Sequence, residues 1–132
     1  MPPKLNGIDH IHLYVPDRRQ AAQWYQDALG FHIVDSMAFW ARDDRGPLTI
    51  EDASGTIHLA LFRKDDFTPS TALAFRAAGD QFLAWKTYLE EKNLLDRLSD
   101  HTIAWSMYFR DPYGNAHEIT TMEYDAVARA LK

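Results

Sequence analysis

The chain has 132 residues, with 14 Lys and Arg against 19 Asp and Glu and a formal net charge of −5. That length suits one domain, or two small halves sharing a core, and 46% hydrophobic with 25% charged residues is a folded rather than a disordered composition. The acidic balance argues against a nucleic-acid partner, no apolar run approaches the roughly 20 residues of a membrane span, and the absence of cysteine excludes disulfides, thiolate nucleophiles, zinc ribbons and iron–sulfur clusters. The opening Met1-Pro2-Pro3-Lys4 lacks the apolar core of a signal peptide. The expected setting is therefore cytoplasmic, with a small molecule as partner. Any chemistry falls to His, Asp, Glu and Tyr.

Ile8 to Val15 reads as the first strand, with Asp9, Ile11, Leu13 and Val15 on one side, apolar after Asp9, and Ile8, His10, His12 and Tyr14 on a chemically mixed other side. A mixed side suits the wall of a cavity. Pro16-Asp17 stops the strand, Asp17 caps a helix over 18–29 with Gln20 completing a box-like pattern, and Gly30 ends it. Three extended segments follow, Phe31 to Val34, Phe39 to Ala41 and Leu48 to Ile50. A turn at Glu51 to Gly55 then leads into the strand Thr56 to Phe62. Arg63 to Pro69 reads as a linker.

The second half repeats the order. Ala72 to Ala77 is a predicted strand, Gly79-Asp80 a stop and cap, and Gln81 to Lys92 a helix burying Phe82, Leu83, Trp85 and Leu89. Strands are predicted at Leu95 to Leu98, Thr102 to Arg110 and Ala116 to Met122, with a type I turn at Asp111-Pro112-Tyr113-Gly114. Asp125 caps a short helix over 126–131. The fold class expected is α+β: two tandem βαβββ modules, about 5–63 and 70–122, forming a curved mixed sheet around a cavity.

Among six histidines, His10 lies in the first strand of the first half and His58 in its last, while Glu118 lies in the last strand of the second half. The spacings of the two halves nearly match: 48 positions from His10 to His58, and 46 from Ala72 to Glu118. Two imidazoles and a carboxylate brought together would suit a divalent transition metal with open positions. The plainer alternative is that each histidine is a hydrogen-bonded, half-buried strand residue. His12 is either a proton carrier beside His10 or simply hydrogen-bonded. Tyr108 offers a donor to a bound oxyanion, Arg76 a partner for an acidic ligand, and Trp40 and Trp105 an aromatic wall; an ordinary strand tyrosine, a surface ion pair and core or interface tryptophans are the competing readings. No serine–histidine–aspartate order and no phosphate-binding glycine loop is present.

Two stretches carry a resemblance. Gly7-Ile8-Asp9-His10-Ile11-His12-Leu13-Tyr14-Val15-Pro16-Asp17, followed by Trp24-Tyr25-Gln26-Asp27-Ala28-Leu29-Gly30-Phe31, resembles the opening of the vicinal oxygen chelate superfamily, which includes glyoxalase I, fosfomycin-resistance enzymes, extradiol dioxygenases and bleomycin-resistance proteins. Tyr108-Phe109-Arg110-Asp111-Pro112-Tyr113-Gly114-Asn115-Ala116-His117-Glu118 resembles the same superfamily's closing signature, so the likeness runs from about Leu5 to Met122.

The resemblance implies paired βαβββ modules around a divalent metal (Zn, Ni, Mn or Fe), usually in a homodimer, with ligands on the first and last strands of each module. His10, His58 and Glu118 fall at three such positions, while the fourth, often histidine, is Ala72. Superposing the two halves by their turn glycines would select His117, three residues after Gly114; the superfamily motif places its carboxylate four after, at Glu118. The expected function is a lyase or isomerase acting on a small molecule with adjacent oxygens, with Glu118 and His12 catalytic and Tyr108, Arg76 and Trp105 binding substrate. The alternative is a metal-free binding protein of the bleomycin-resistance type.

Overall fold

The Asp17 carboxylate accepts from the Gln20 amide at 3.0 Å, satisfying one of the free N–H groups at the start of α1 (Arg18–Leu29). Gly30, at φ 74°, ends that helix in a left-handed conformation that a side chain would resist. The computed structural model describes residues 1–132, which form two compact units, Met1–Thr68 and Pro69–Lys132.

In the first unit, Ala21, Ala22, Tyr25 and Ala28 recur at helical spacing and are buried. They lay α1 on a sheet of four strands: β1 (Ile11–Val15), β2 (His32–Ile33), β3 (Leu48–Glu51) and β4 (His58–Arg63), in the order β1–β4–β3–β2. β1 and β4 are parallel; the other pairs are antiparallel. Leu13, Val15, Leu48, Ile50, Leu59 and Leu61 are at most 2% exposed. Each buried aliphatic side chain of this kind contributes roughly 1.5–3 kcal/mol.

The second unit repeats the topology. β5 (Leu73–Arg76), α2 (Gly79–Glu91), β6 (Arg97–Asp100), β7 (Trp105–Arg110) and β8 (Ala116–Thr121) give a sheet of order β5–β8–β7–β6, with β5 and β8 parallel. Phe82 and Leu89 of α2 are buried, as are Met107, Phe109 and Ile119 of the sheet and Val127 of α3 (Tyr124–Ala130). The α+β class and the repeated βαβββ order follow the reading of the sequence. No helix is long and apolar enough to cross a membrane.

Several elements depart from expectation for local reasons. Phe39 to Ala41 is not a strand but lies within a 3-10 helix, Asp35–Arg42, because the carbonyl of Ala41 is taken by the Arg18 guanidinium rather than by a neighbouring strand. β4 starts at His58, not Thr56, since the Asp52 carboxylate holds the amides of Thr56 and Ile57 in the preceding turn, each at 2.9 Å. Thr102 at φ 73° and the bond from the His101 amide to the Ala104 carbonyl form a turn, which delays β7 to Trp105. β6 begins at Arg97, two residues later than predicted. α2 begins at Gly79, whose amide donates to the Glu123 carboxylate at 3.0 Å. Asp125 lies in the first turn of α3 and does not cap it.

Candidate functional site

Strand alternation sorts the first module's sheet into two faces. Leu13 and Val15 turn to the core under α1, so His12 and Tyr14 turn the other way, and His10, just before β1, shares their side. In register, Glu51 of β3 lies opposite His58 of β4 and His32 of β2 lies opposite Glu51. His58 Nε2–H donates to Glu51 Oε2 at 2.9 Å, and His32 Nε2–H donates to the other carboxylate oxygen at 3.1 Å. Glu51 keeps 21% of its side chain exposed and His58 keeps 27%. The one Glu51 carboxylate thus orients both rings.

The second anchor is Asp9. His10 Nδ1–H donates to Asp9 Oδ1 at 2.8 Å, which leaves Nε2 of His10 carrying a lone pair. That nitrogen stands 3.0 Å from His12 Nε2. By the same reasoning, the bond from His58 Nε2–H to Glu51 leaves Nδ1 of His58 as its lone-pair nitrogen. Each of these two predicted ligands therefore has one ring nitrogen held by a carboxylate, the arrangement that orients a metal-ligating imidazole, and in His10 the other nitrogen meets His12.

His10 and His58 line one cavity together with Asp9, Met37, Trp40 and Thr49. Its apolar wall comes from the 3-10 helix, and that segment is tied down in two ways. The Arg18 guanidinium donates to the carbonyls of Ala41 at 2.9 Å, Asp43 at 3.1 Å and Gly46. Gly46 sits so tightly on the segment that an added Cβ would stand 2.0 Å from the Trp40 carbonyl oxygen.

In the second module, Glu118 lies opposite Ala74 on β5 and Tyr108 on β7. Alternation along β5 then sets Ala72, just before that strand, and Arg76 on the side of Glu118. Glu118 accepts from Ser106 Oγ at 2.7 Å. Tyr108 Oη lies 3.0 Å from His101 Nε2, and the Arg97 guanidinium sits 4.2 Å over the Tyr108 ring. Arg76 is exposed. Trp105 falls on the opposite side of β7 from Tyr108 and stacks on Tyr124 with centroids 5.5 Å apart, so the structure does not group it with Tyr108 and Glu118.

His117 also turns the other way. It is 0% exposed, with the rings of Phe75 and Phe109 at 5.9 and 5.3 Å. Burial pushes its imidazole down to about 4, with the nearby Asp111 carboxylate opposing that shift. Of the two candidates raised by the spacing from Gly114, the open-face residue is thus Glu118 and the core residue is His117. Within neither module do three His, Asp or Glu side chains meet closely enough to hold an ion by themselves.

Glu51, Asp9, His32 and Arg18 were not singled out from the sequence. The alternation of Leu48, Thr49, Ile50 and Glu51 placed before His58 was the available signal for Glu51. Nothing local marks Arg18, whose three partners lie 23 to 28 residues away.

Two βαβββ modules in tandem define a paired-module class of fold. The chain belongs to the Glyoxalase/Bleomycin resistance protein/Dioxygenase superfamily, whose sequence profile matches residues 7–119. Among solved structures it is similar to a glyoxalase family protein of Bacillus anthracis, at 20% identity and TM-score 0.75, covering 93% of this chain and 100% of that one. A lactoylglutathione lyase of Agrobacterium tumefaciens is 21% identical at TM-score 0.69, covering 89% and 96%. The oxidase ChaP-H2 is 22% identical at TM-score 0.64, covering 96% and 99%. These likenesses establish the fold. No curated protein matches the chain.

Proposed function

We propose that this protein is a divalent-metal-dependent enzyme of the lyase or isomerase type, acting in the cytoplasm on a small molecule with two adjacent oxygens. His10 and His58 supply imidazoles, and Glu118, of the same chain or of a second copy in a homodimer, supplies the carboxylate. The observation that carries the reading is the pair of carboxylate-anchored imidazoles on one cavity: Asp9 on His10 at 2.8 Å and Glu51 on His58 at 2.9 Å, each through one ring nitrogen.

A divalent ion held by these residues would supply Lewis-acid polarisation of adjacent substrate oxygens. The chain's own residues do the rest. Asp9 and Glu51 each hold one ring nitrogen of an imidazole and so orient the ring. Met37 and Trp40 give the substrate an apolar wall. Glu118, oriented by Ser106, takes up the proton lost from the substrate carbon; Tyr108 donates to the developing oxyanion, and Arg76 pairs an acidic group of the ligand.

The test is elemental analysis of protein purified without added metal or a histidine tag. About one ion per chain is expected, falling sharply in His58→Ala, with light scattering giving twice 15.2 kDa. No ion, even after dialysis with Ni, Zn, Mn and Fe, would leave the second reading, a metal-free small-molecule binding protein. That reading is favoured by Ala72, which offers only a methyl group where many relatives have an imidazole.

A further inference from the structure

His10 and His12 are more than neighbours on a strand. Separated by Ile11, they share a face, their rings lie within 20° of parallel, and their Nε2 atoms are 3.0 Å apart. Because His10 Nδ1–H is committed to Asp9, the proton between the two Nε2 atoms belongs to His12. An imidazole can instead carry that proton on its other nitrogen. Moving it to Nδ1 of His12 leaves two lone pairs facing one another, with no change in charge. The 3.0 Å separation is also that of two adjacent ligands on an octahedral ion with bonds of about 2.1 Å, whose expected separation is about 2.1 × √2, or ~3.0 Å. The Phe62 ring, its centroid 4.5 Å from that of His12, backs the second imidazole and limits where it can swing.

We propose that His12 is a metal ligand, which forms with His10 a two-imidazole chelate for a divalent transition ion such as Ni²⁺ or Cu²⁺. The assignment rests on the metal-dependent reading above and changes the part of His12 from proton carrier to ligand. It also meets a need that the fold leaves open. Position 72 holds alanine, so the second module contributes no imidazole there, and the strand His10-Ile11-His12 provides one from within the first module. Water, substrate oxygens and the remaining donors complete the shell.

The experiment uses the full chain, stripped with EDTA, with Ni²⁺ titrated calorimetrically and Cu²⁺ examined by electron paramagnetic resonance. Parent, His10→Ala, His12→Ala and His12→Gln are compared, with melting temperatures as the check on folding. His12→Ala should weaken Ni²⁺ binding at least about 10–100-fold, the range that even an outer-sphere partner commands. The copper spectrum should lose the coupling of one nitrogen, and His12→Gln, which keeps a polar side chain without an imidazole, should behave alike. If His12→Ala binds Ni²⁺ within twofold of the parent while His10→Ala does not bind, His12 is no ligand although the metal-dependent reading stands. Weaker binding with the nitrogen count unchanged also removes His12 from the shell. If the parent binds neither ion, both the chelate and the metal-dependent reading fall.

Discussion

Burial of His117 makes the folded state sensitive to acid, and the size of the effect can be worked out. The ring is fully buried and titrates near 4 instead of its ordinary 6.5. Between those values the unfolded chain binds a proton that the folded chain refuses, so stability rises with pH through this window and is complete above 6.5. At pH 5 the unfolded state is protonated at this position and the folded state is not, a loss of about 2 kcal/mol relative to pH 7; by pH 4 and below the loss approaches about 3 kcal/mol. His117→Leu removes the titration while filling a similar volume between Phe75 and Phe109. Urea unfolding at pH 7 and pH 5, with EDTA present, should show the parent losing about 2 kcal/mol more than His117→Leu across that interval. Equal losses in the two proteins would refute the reasoning and place the acid sensitivity elsewhere.

Two further outcomes test the supports of the site. Asp111 is buried and accepts from the amides of Tyr113 and Asn115 at 2.9 Å and from Asn115 Nδ2 at 2.8 Å. Asp111→Ala should therefore cost about 3 kcal/mol in urea unfolding, with Asp111→Asn costing distinctly less because it keeps an acceptor for the turn amides. Arg18→Met releases the carbonyls of Ala41, Asp43 and Gly46, so limited trypsin digestion should cut after Arg42 and Arg45 roughly ten times faster than in the parent, consistent with about 1.4 kcal/mol of lost local protection. An unchanged cutting rate would mean that Gly46 packing alone secures the segment.

Much of this architecture was legible in the chain itself because its signals are local. Asp17 and Gly30 bound α1 by capping chemistry that needs no distant partner, and the two-residue alternation around His10 and His12 set those side chains apart from Leu13 and Val15 before any neighbour was known. The repeated strand–cap–helix order likewise announced two modules, and the motif ending at Glu118 indicated which of two adjacent residues carries the open-face carboxylate. Tertiary structure decided what depends on pairing across the chain. Phe39 to Ala41 is as apolar as a strand, yet Arg18, 23 residues earlier, takes the Ala41 carbonyl and winds the segment into a 3-10 helix. The environment of His58 was equally hidden, since Glu51 meets it only through antiparallel register and is itself shared with His32. His117 and Glu118 differ by one position, and the pairing of β8 between β5 and β7 sets one ring between phenylalanines and bonds the other side chain to Ser106. Caps and alternation are decided by residues within a turn or two of one another, whereas register and burial are set by contacts that exist only once the sheet has formed.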